Sequence, residues 1–331
     1  MSEVRIGFGR PVAAAAAAVV LSLTASGCVT VHGELEVVPT TTKAQAARAL
    51  DTFVTAYNKA DRTNDRDADA KYVTGALGSI DAAKLKAGHV VSPKGNPKYV
   101  PLKLTDAHFT IPKKAGWPRW FVADSDNNRS PDSRWVMVFT RDAVDEPWAV
   151  SYLTVFRGDT FPEFKKDADG WGEAISPDAK GLSMRPADLS EKYTGYLKNG
   201  GDGFAEGPYT SERRASREKS TRPGLATQFI DEPLTSGDYA PVALRTEDGG
   251  ALAFFTTRRY QKLTASPGTD LPAMSLSVKA LMSGDAKQSV TYGYVSNQAA
   301  IVPASGSANG SAGGGVQVLN RVEGITTVEG S

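Results

Sequence analysis

Apolar residues along this chain recur first at helical spacing and then at strand spacing, and that order occurs twice. Ala46, Leu50, Phe53, Val54 and Tyr57 fall three and four residues apart and define one apolar stripe on a helix. Thr42 and Gln45 form a Thr-x-x-Gln capping box that sets where this helix opens. The polar stretch DRTNDRDAD, residues 61–69, interrupts the pattern, and shorter helical pieces are expected over 72–77 and 80–85. From Pro101 the period changes. PLKLTDAHFTIP, RWFVAD, SRWVMVFTRD and PWAVSYLTVF are rich in aromatic and β-branched residues and read as strands, with DAVDE as the hairpin turn between the last two.

Residues 166–182 read as a connection, after which the order repeats. Leu189, Tyr193 and Tyr196 keep the i, i+4, i+7 spacing of Leu50, Val54 and Tyr57, and GALAFFTTR (250–258) echoes RWVMVFTR (134–141). QSVTYGYVS, AAIVPA and GVQVLNRV are the later strands, the last two joined by the Gly- and Ser-rich SGSANGSAGGG. The fold class expected is α+β, as two similar halves, each with N-terminal helices packed on a curved antiparallel sheet. The first domain spans 43–165 and the second 183–331. Helices wrapped by a curved antiparallel sheet resemble the nuclear-transport-factor-2-like, or cystatin-like, cone fold.

The first 27 residues change the picture from fold to location. Arg5 and Arg10 stand against one acid, Glu3, and residues 12–23 carry no charge. Ala25, Ser26 and Gly27 then precede Cys28, so residues 1–27 read as a secretory signal. The apolar run is shorter than the roughly 20 residues a membrane-spanning helix needs. The segment LTASGC resembles the lipobox of bacterial lipoproteins, with Ala25 where that family most often has Leu. The resemblance implies a diacylglycerol on the Cys28 sulfur and cleavage that makes Cys28 the first mature residue. Cys28 is the sole cysteine, so no disulfide is available, and lipidation removes a free thiol from an oxidising space. The expected location is the outer face of the bacterial cytoplasmic membrane. Residues 28–42 are either a tether or an edge strand. The whole chain also resembles uncharacterised secreted lipoproteins of actinomycete type, through CVTVHGELEVVP and FAEGPYT. Those segments carry no known chemistry and so imply no catalytic residues.

Composition narrows the partners. With 38 Lys and Arg against 37 Asp and Glu, the net charge of +1 leaves no electrostatic footprint for nucleic acid. No cofactor is expected, since the glycine run before Val316 lacks the Lys-Ser/Thr of a phosphate loop. No metal is expected either. DSDNNRSPDSRW offers Asp124, Asp126 and Asn128 at alternate positions, but Arg129 stands where a calcium loop needs glycine and Trp135 where it needs a bidentate Glu.

Candidate chemistry is sparse. Among His32, His89 and His108, only the last has a strand neighbour suited to acid–base work, Asp106, two residues away on the same face. Trp120, Trp135 and Trp148 are the candidates for an aromatic-lined ligand pocket, with Trp135 and Trp148 expected to pack across a hairpin. Ser216 and Lys219 match Ser-x-x-Lys inside a charged run, without the further motifs of that hydrolase family. Arg213, Arg214, Arg217, Lys219 and Arg222 form a basic run suited to anionic lipid or wall polymer, or simply a solvated helix face. The function expected is a membrane-anchored, non-catalytic binding or envelope-assembly module, with partners among envelope proteins, polymers and anionic lipid. The alternative is an enzyme using a cone pocket with Asp106 and His108 as its acid–base pair.

Overall fold

The computed structural model describes residues 36–130, 132–157, 161–220, 222–306 and 315–331. Cys28 and His32 therefore lie outside the described residues. In chain order the elements are β1 (Val38–Pro39), α1 (Lys43–Thr63), α2 (Gly75–Val91), β2 (Leu104–Thr110), β3 (Pro112–Lys114), β4 (Arg119–Asn127), β5 (Ser133–Arg141), β6 (Ala149–Arg157) and β7 (Gly172–Ile175). There follow α3 (Leu189–Asn199), α4 (Ser211–Glu218), β8 (Leu225–Leu234), β9 (Val242–Arg245), β10 (Ala251–Ala265), α5 (Leu276–Lys279), β11 (Met282–Ser283), β12 (Ser289–Val302) and β13 (Gln317–Gly330).

Helix α1 opens as its sequence dictates. The Gln45 amide donates to the Thr42 hydroxyl at 3.2 Å, and the Thr42 amide donates to Gln45 Oε1 at 3.1 Å. The helix runs through Asp61 to Thr63 before Asn64 closes it in a left-handed conformation, so the polar stretch begins within the helix. The two short pieces expected over 72–85 are one helix, α2. Gly75 makes its start possible: its φ is +53°, and a Cβ there would stand 2.3 Å from the Asp238 carbonyl oxygen. Only glycine fits both demands.

The first sheet is a four-stranded antiparallel meander, β2-β4-β5-β6. The second holds nine strands, β1-β3-β7-β9-β10-β12-β13-β11, with β8 pairing β10 beyond β9. It draws β1, β3 and β7 from residues before 183, and β7 lies inside the segment that read as a connection. Of residues 28–42, the described part contributes the short strand Val38–Pro39, paired with β3 at the sheet edge. Two expected strands, QSVTYGYVS and AAIVPA, are the single strand β12. Asn297 and Gln298, which appeared to break it, are fully buried, and Asn297 Nδ2 donates to the Leu153 carbonyl of the other sheet at 2.8 Å.

Three apolar layers follow from these sheets. Leu50, Phe53 and Tyr57 of α1 pack on one face of the meander, against Phe121, Trp135 and Phe139. Leu189, Tyr193 and Tyr196 of α3 pack on the far face of the nine-stranded sheet, against Ala253 and Phe255. Between the sheets, Trp120, Val122, Val136, Val138 and Tyr152 meet Leu244, Leu252, Phe254 and Ala299. The order through the molecule is helix, sheet, sheet, helix. Helix α2 sits at the joint, packing on β6, β12 and β13, with Ile80 over Gly324.

The shared middle layer predicts one unfolding transition. Phe254 is fully buried and its ring centroid lies 5.9 Å from that of Tyr152. Phe254→Ala should lower stability by about 3–5 kcal/mol. All five tryptophans lie between residues 117 and 171, so their fluorescence reports the meander and the layer it shares with the second sheet. Their denaturation midpoint should nevertheless fall in step with that of the whole-chain circular dichroism. A tryptophan midpoint left unmoved would show that the meander unfolds separately.

Candidate functional site

Asp106 and His108 do come together, but around an arginine and in the open. A bulge interrupts the β2–β4 register between Thr105 and His108, and Asp106 takes φ +49°, a conformation Asp tolerates. Arg134 of β5 fills the space this creates. It donates to Asp124 at 2.7 Å, to Asp126 at 2.9 Å and to Asp106 at 3.0 Å, and one of its nitrogens stands 2.9 Å from His108 Nδ1. The His108 and Asp106 side chains are 63% and 58% exposed. A general acid–base pair needs a site that positions substrate and excludes water. Here the imidazole is one member of a surface ion cluster, and the space between α1 and the meander is filled by side chains. The same cluster uses Asp124 and Asp126, and Asn127 Oδ1 accepts the amides of Arg129 and Ser130, so the calcium-like stretch is a polar hairpin turn.

The three candidate tryptophans part company. Trp120 lies in the layer between the sheets, and Trp135 lies under α1, its ring 6.3 Å from Tyr57 in an edge contact. Trp135 pairs with Val155 across β5 and β6, so it does not meet Trp148; the two stand at opposite ends of that hairpin. Trp148 alone lines a surface groove, of about 420 Å³, with Arg141, Tyr72 and Gln45. Arg141 lies 4.8 Å over its ring.

The basic run also departs from its expected role. A helix puts Arg213 and Arg217 on one face, and that face of α4 turns inward onto the nine-stranded sheet. Arg217 makes a two-pronged pair with Asp231 of β8 at 2.6 and 2.8 Å. Arg213 reaches Glu323 of β13 at 3.4 Å. Arg214 covers the Tyr196 ring at 5.5 Å. The run is therefore not a free cationic stripe, because its central members are spent on carboxylates and rings beneath them. Ser216 and Lys219 lie on the exposed side of the helix.

Beneath α4 the structure brings together residues that sequence reading passed over. Arg259 of β10 gives Glu323 two bonds, at 3.2 and 3.0 Å, and Arg321 gives it a third contact. With Arg213, three guanidiniums converge on one carboxylate. Burial alone would raise the Glu323 pKa, but Arg321, Arg259 and Arg213 outweigh it and hold the value at about 2. Burial and then the Arg321 charge pull Arg213 down to about 10. Arg259 stacks 3.7 Å over Tyr294 and also touches Phe229. The buried Nε atoms of Arg213 and Arg321 and Oε1 of Gln298 have no hydrogen-bond partner. Next to this cluster a groove of about 440 Å³ runs between α3, α4 and β8, lined by Leu197, Lys198, Arg214, Arg217, Glu218, Phe229, Ile230 and Asp231. The signal for the cluster was Arg321 and Glu323, two apart on a strand and therefore on one face.

A second buried charge group joins α1 to α2. Asp61 takes Lys84 at 2.9 Å and Arg129 at 3.1 Å, while Asp69 and Asp81 lie beside each other with one oxygen of each unpartnered. Burial first, and then the Asp81 carboxylate, raise Asp69 to about 8; burial likewise raises Asp81. The native state thus holds a proton that the unfolded chain releases near pH 4. Stability from this pair is full below that pH and declines as pH rises toward 8. Asp69→Asn should leave the melting temperature unchanged near pH 4 and raise it at pH 8. The gain is roughly 2–4 °C for each kcal/mol of relieved penalty. An equal shift at both pH values would contradict the proton assignment.

Comparison with known proteins adds kinship without chemistry. Residues 37–330 match the family model of a domain of unknown function, DUF8094. An uncharacterized lipoprotein of Streptomyces coelicolor is 57% identical over 316 residues, covering 95% of this chain and 94% of that protein. One of Streptomyces avermitilis is 54% identical over 324 residues, covering 98% and 96%. A second Streptomyces coelicolor lipoprotein is 25% identical over 327 residues, covering 89% and 88%. No solved structure matches. Among the described residues no helix is long and apolar enough to cross a membrane. The family model spans nearly every described residue, both sheets included, and the chain belongs to the DUF8094 family.

Proposed function

We propose that this protein is a lipid-anchored, extracytoplasmic binding module that carries no catalysis of its own and takes its ligand in the groove between α3, α4 and β8. The observation that carries the reading is the make-up of that groove. Phe229 forms an apolar wall, Lys198 and Arg214 give a cationic rim beside Glu218 and the Arg217–Asp231 pair, and Ile230 is 57% exposed. A concave site that pairs apolar surface with a few placed charges suits an amphipathic anionic ligand of the cell envelope, such as an anionic polymer or lipid. The lipoprotein relatives and the lipobox-like LTASGC support anchoring through Cys28. Two acyl chains hold a protein at a bilayer where one does not. The helices α1 and α2 beside an antiparallel meander support the cone-fold likeness for the first segment, though the space between α1 and the sheet is filled.

Cys28→Ala should move the protein from the membrane fraction to the medium, or leave uncleaved precursor. Membrane partition unchanged by that substitution would contradict the anchor. The released form should sediment with purified envelope material, and Arg214→Glu with Ile230→Asp should cut retention about tenfold, the equivalent of roughly 1.4 kcal/mol. Retention that ignores both changes, or is absent from the start, would contradict the groove.

A further inference from the structure

We infer that the arginine cluster beneath α4 is a binding site for a dianionic phosphoryl group. The inference rests on and deepens the groove reading, since the cluster lies directly behind one wall of the groove. Its inner wall, formed by Arg217 and Phe229, is also the outer wall of the cluster: Phe229 carries Arg217 at 5.0 Å and Arg259 at 5.9 Å. Arg259 stands opposite Asp231 in the β8–β10 register, one strand in from the groove.

Charge and hydrogen bonding are both left unbalanced. Arg213, Arg259 and Arg321 bring three positive charges and Glu323 one negative, a surplus of two. The neighbouring Arg217–Asp231 pair is balanced and adds nothing. The Arg321 side chain is only 4% exposed, yet its Nε meets no acceptor, nor does the buried Nε of Arg213. Buried N–H groups of charged side chains are costly to leave unmade. A planar guanidinium presents its donors as a fork that matches phosphate oxygens, and a phosphate monoester near neutral pH carries close to the two charges that are missing. Glu323 already sits where all three guanidiniums converge. It acts as a tethered stand-in anion, satisfying one oxyanion's share of donors and leaving the rest.

The roles of the two partners can be separated by experiment. The released full chain is titrated with inorganic phosphate at pH 7.5 and constant ionic strength, with sodium chloride as the matched salt, and the melting temperature and heat of binding are read. Phosphate should raise the melting temperature where chloride does not. Arg213→Gln and Arg321→Met should each weaken phosphate at least about tenfold, the scale of one lost charge-assisted hydrogen bond. Glu323→Gln should tighten it, because the competing carboxylate is gone. Arg213 lies on the short surface helix, so its variant keeps the test open if Arg321→Met folds poorly. Arg134→Gln, in the unrelated ion cluster of the meander, should leave the phosphate response unchanged. Glycerol phosphate binding as well as inorganic phosphate would mark an esterified group as the ligand; inorganic phosphate alone would mark the free ion. The absence of any phosphate-specific shift would overturn the inference, as would a shift that survives Arg213→Gln and Arg321→Met or weakens with Glu323→Gln. Phosphate binding without envelope retention would leave this site standing and remove the groove reading alone.

Discussion

The apolar layer between the two sheets is the constraint on which the rest of the molecule depends. Val136 and Val138 from one sheet and Leu252 and Phe254 from the other are all fully buried. Their alternating neighbours, Trp135, Met137 and Phe139 on β5 and Ala251, Ala253 and Phe255 on β10, are buried against helices. The central strands are therefore apolar on both faces, which is the pattern of fully covered sheets rather than of half-exposed ones. Two polar side chains that enter this layer donate across it. Asn297 Nδ2 reaches the Leu153 carbonyl, and Asn320 Nδ2 reaches the Val155 carbonyl at 2.9 Å, so two amides tie the sheets together across the layer.

The same constraint decides where charge can go. The long strands β10, β12 and β13 carry apolar residues where they face the meander and turn polar toward their other ends. Past Thr257 on β10, only Arg259 and Ala265 are buried. The helix-facing side of that polar stretch bears Arg259, Tyr294, Arg321 and Glu323, and α4 closes over it with Arg213 and Arg217. The aspartate group between α1 and α2 takes in Arg129 from the turn between β4 and β5. Each cluster holds an excess of one sign. In one, Glu323 is forced to stay ionised; in the other, Asp69 is forced to keep its proton.

Local structure was legible in the sequence wherever one helix turn or one strand decided it. The capping box at Thr42, the α1 and α3 stripes and the four strands of the meander all follow from spacing. What spacing does not show is what covers a strand's second face. WVMVF and ALAFF are each a central strand buried on both sides, and that shared burial is enough to produce the likeness. The candidate site was hidden for a related reason. Arg213 and Arg217 looked like surface charge because their partners, Glu323 and Asp231, lie 110 and 14 residues away. Asp106 and His108 lie near each other beside a bulge that has no marker in sequence, and Arg134, the group that claims them, comes from another strand.

Native-state hydrogen exchange tests the shared layer most directly. The amides of Val136 and Val138 in the meander and of Leu252 and Phe254 in the nine-stranded sheet should open with one common free energy, equal to that of global unfolding and with the same denaturant dependence. Two distinct opening energies, with the meander exchanging while the larger sheet stays protected, would contradict a fold held together by the layer between its sheets.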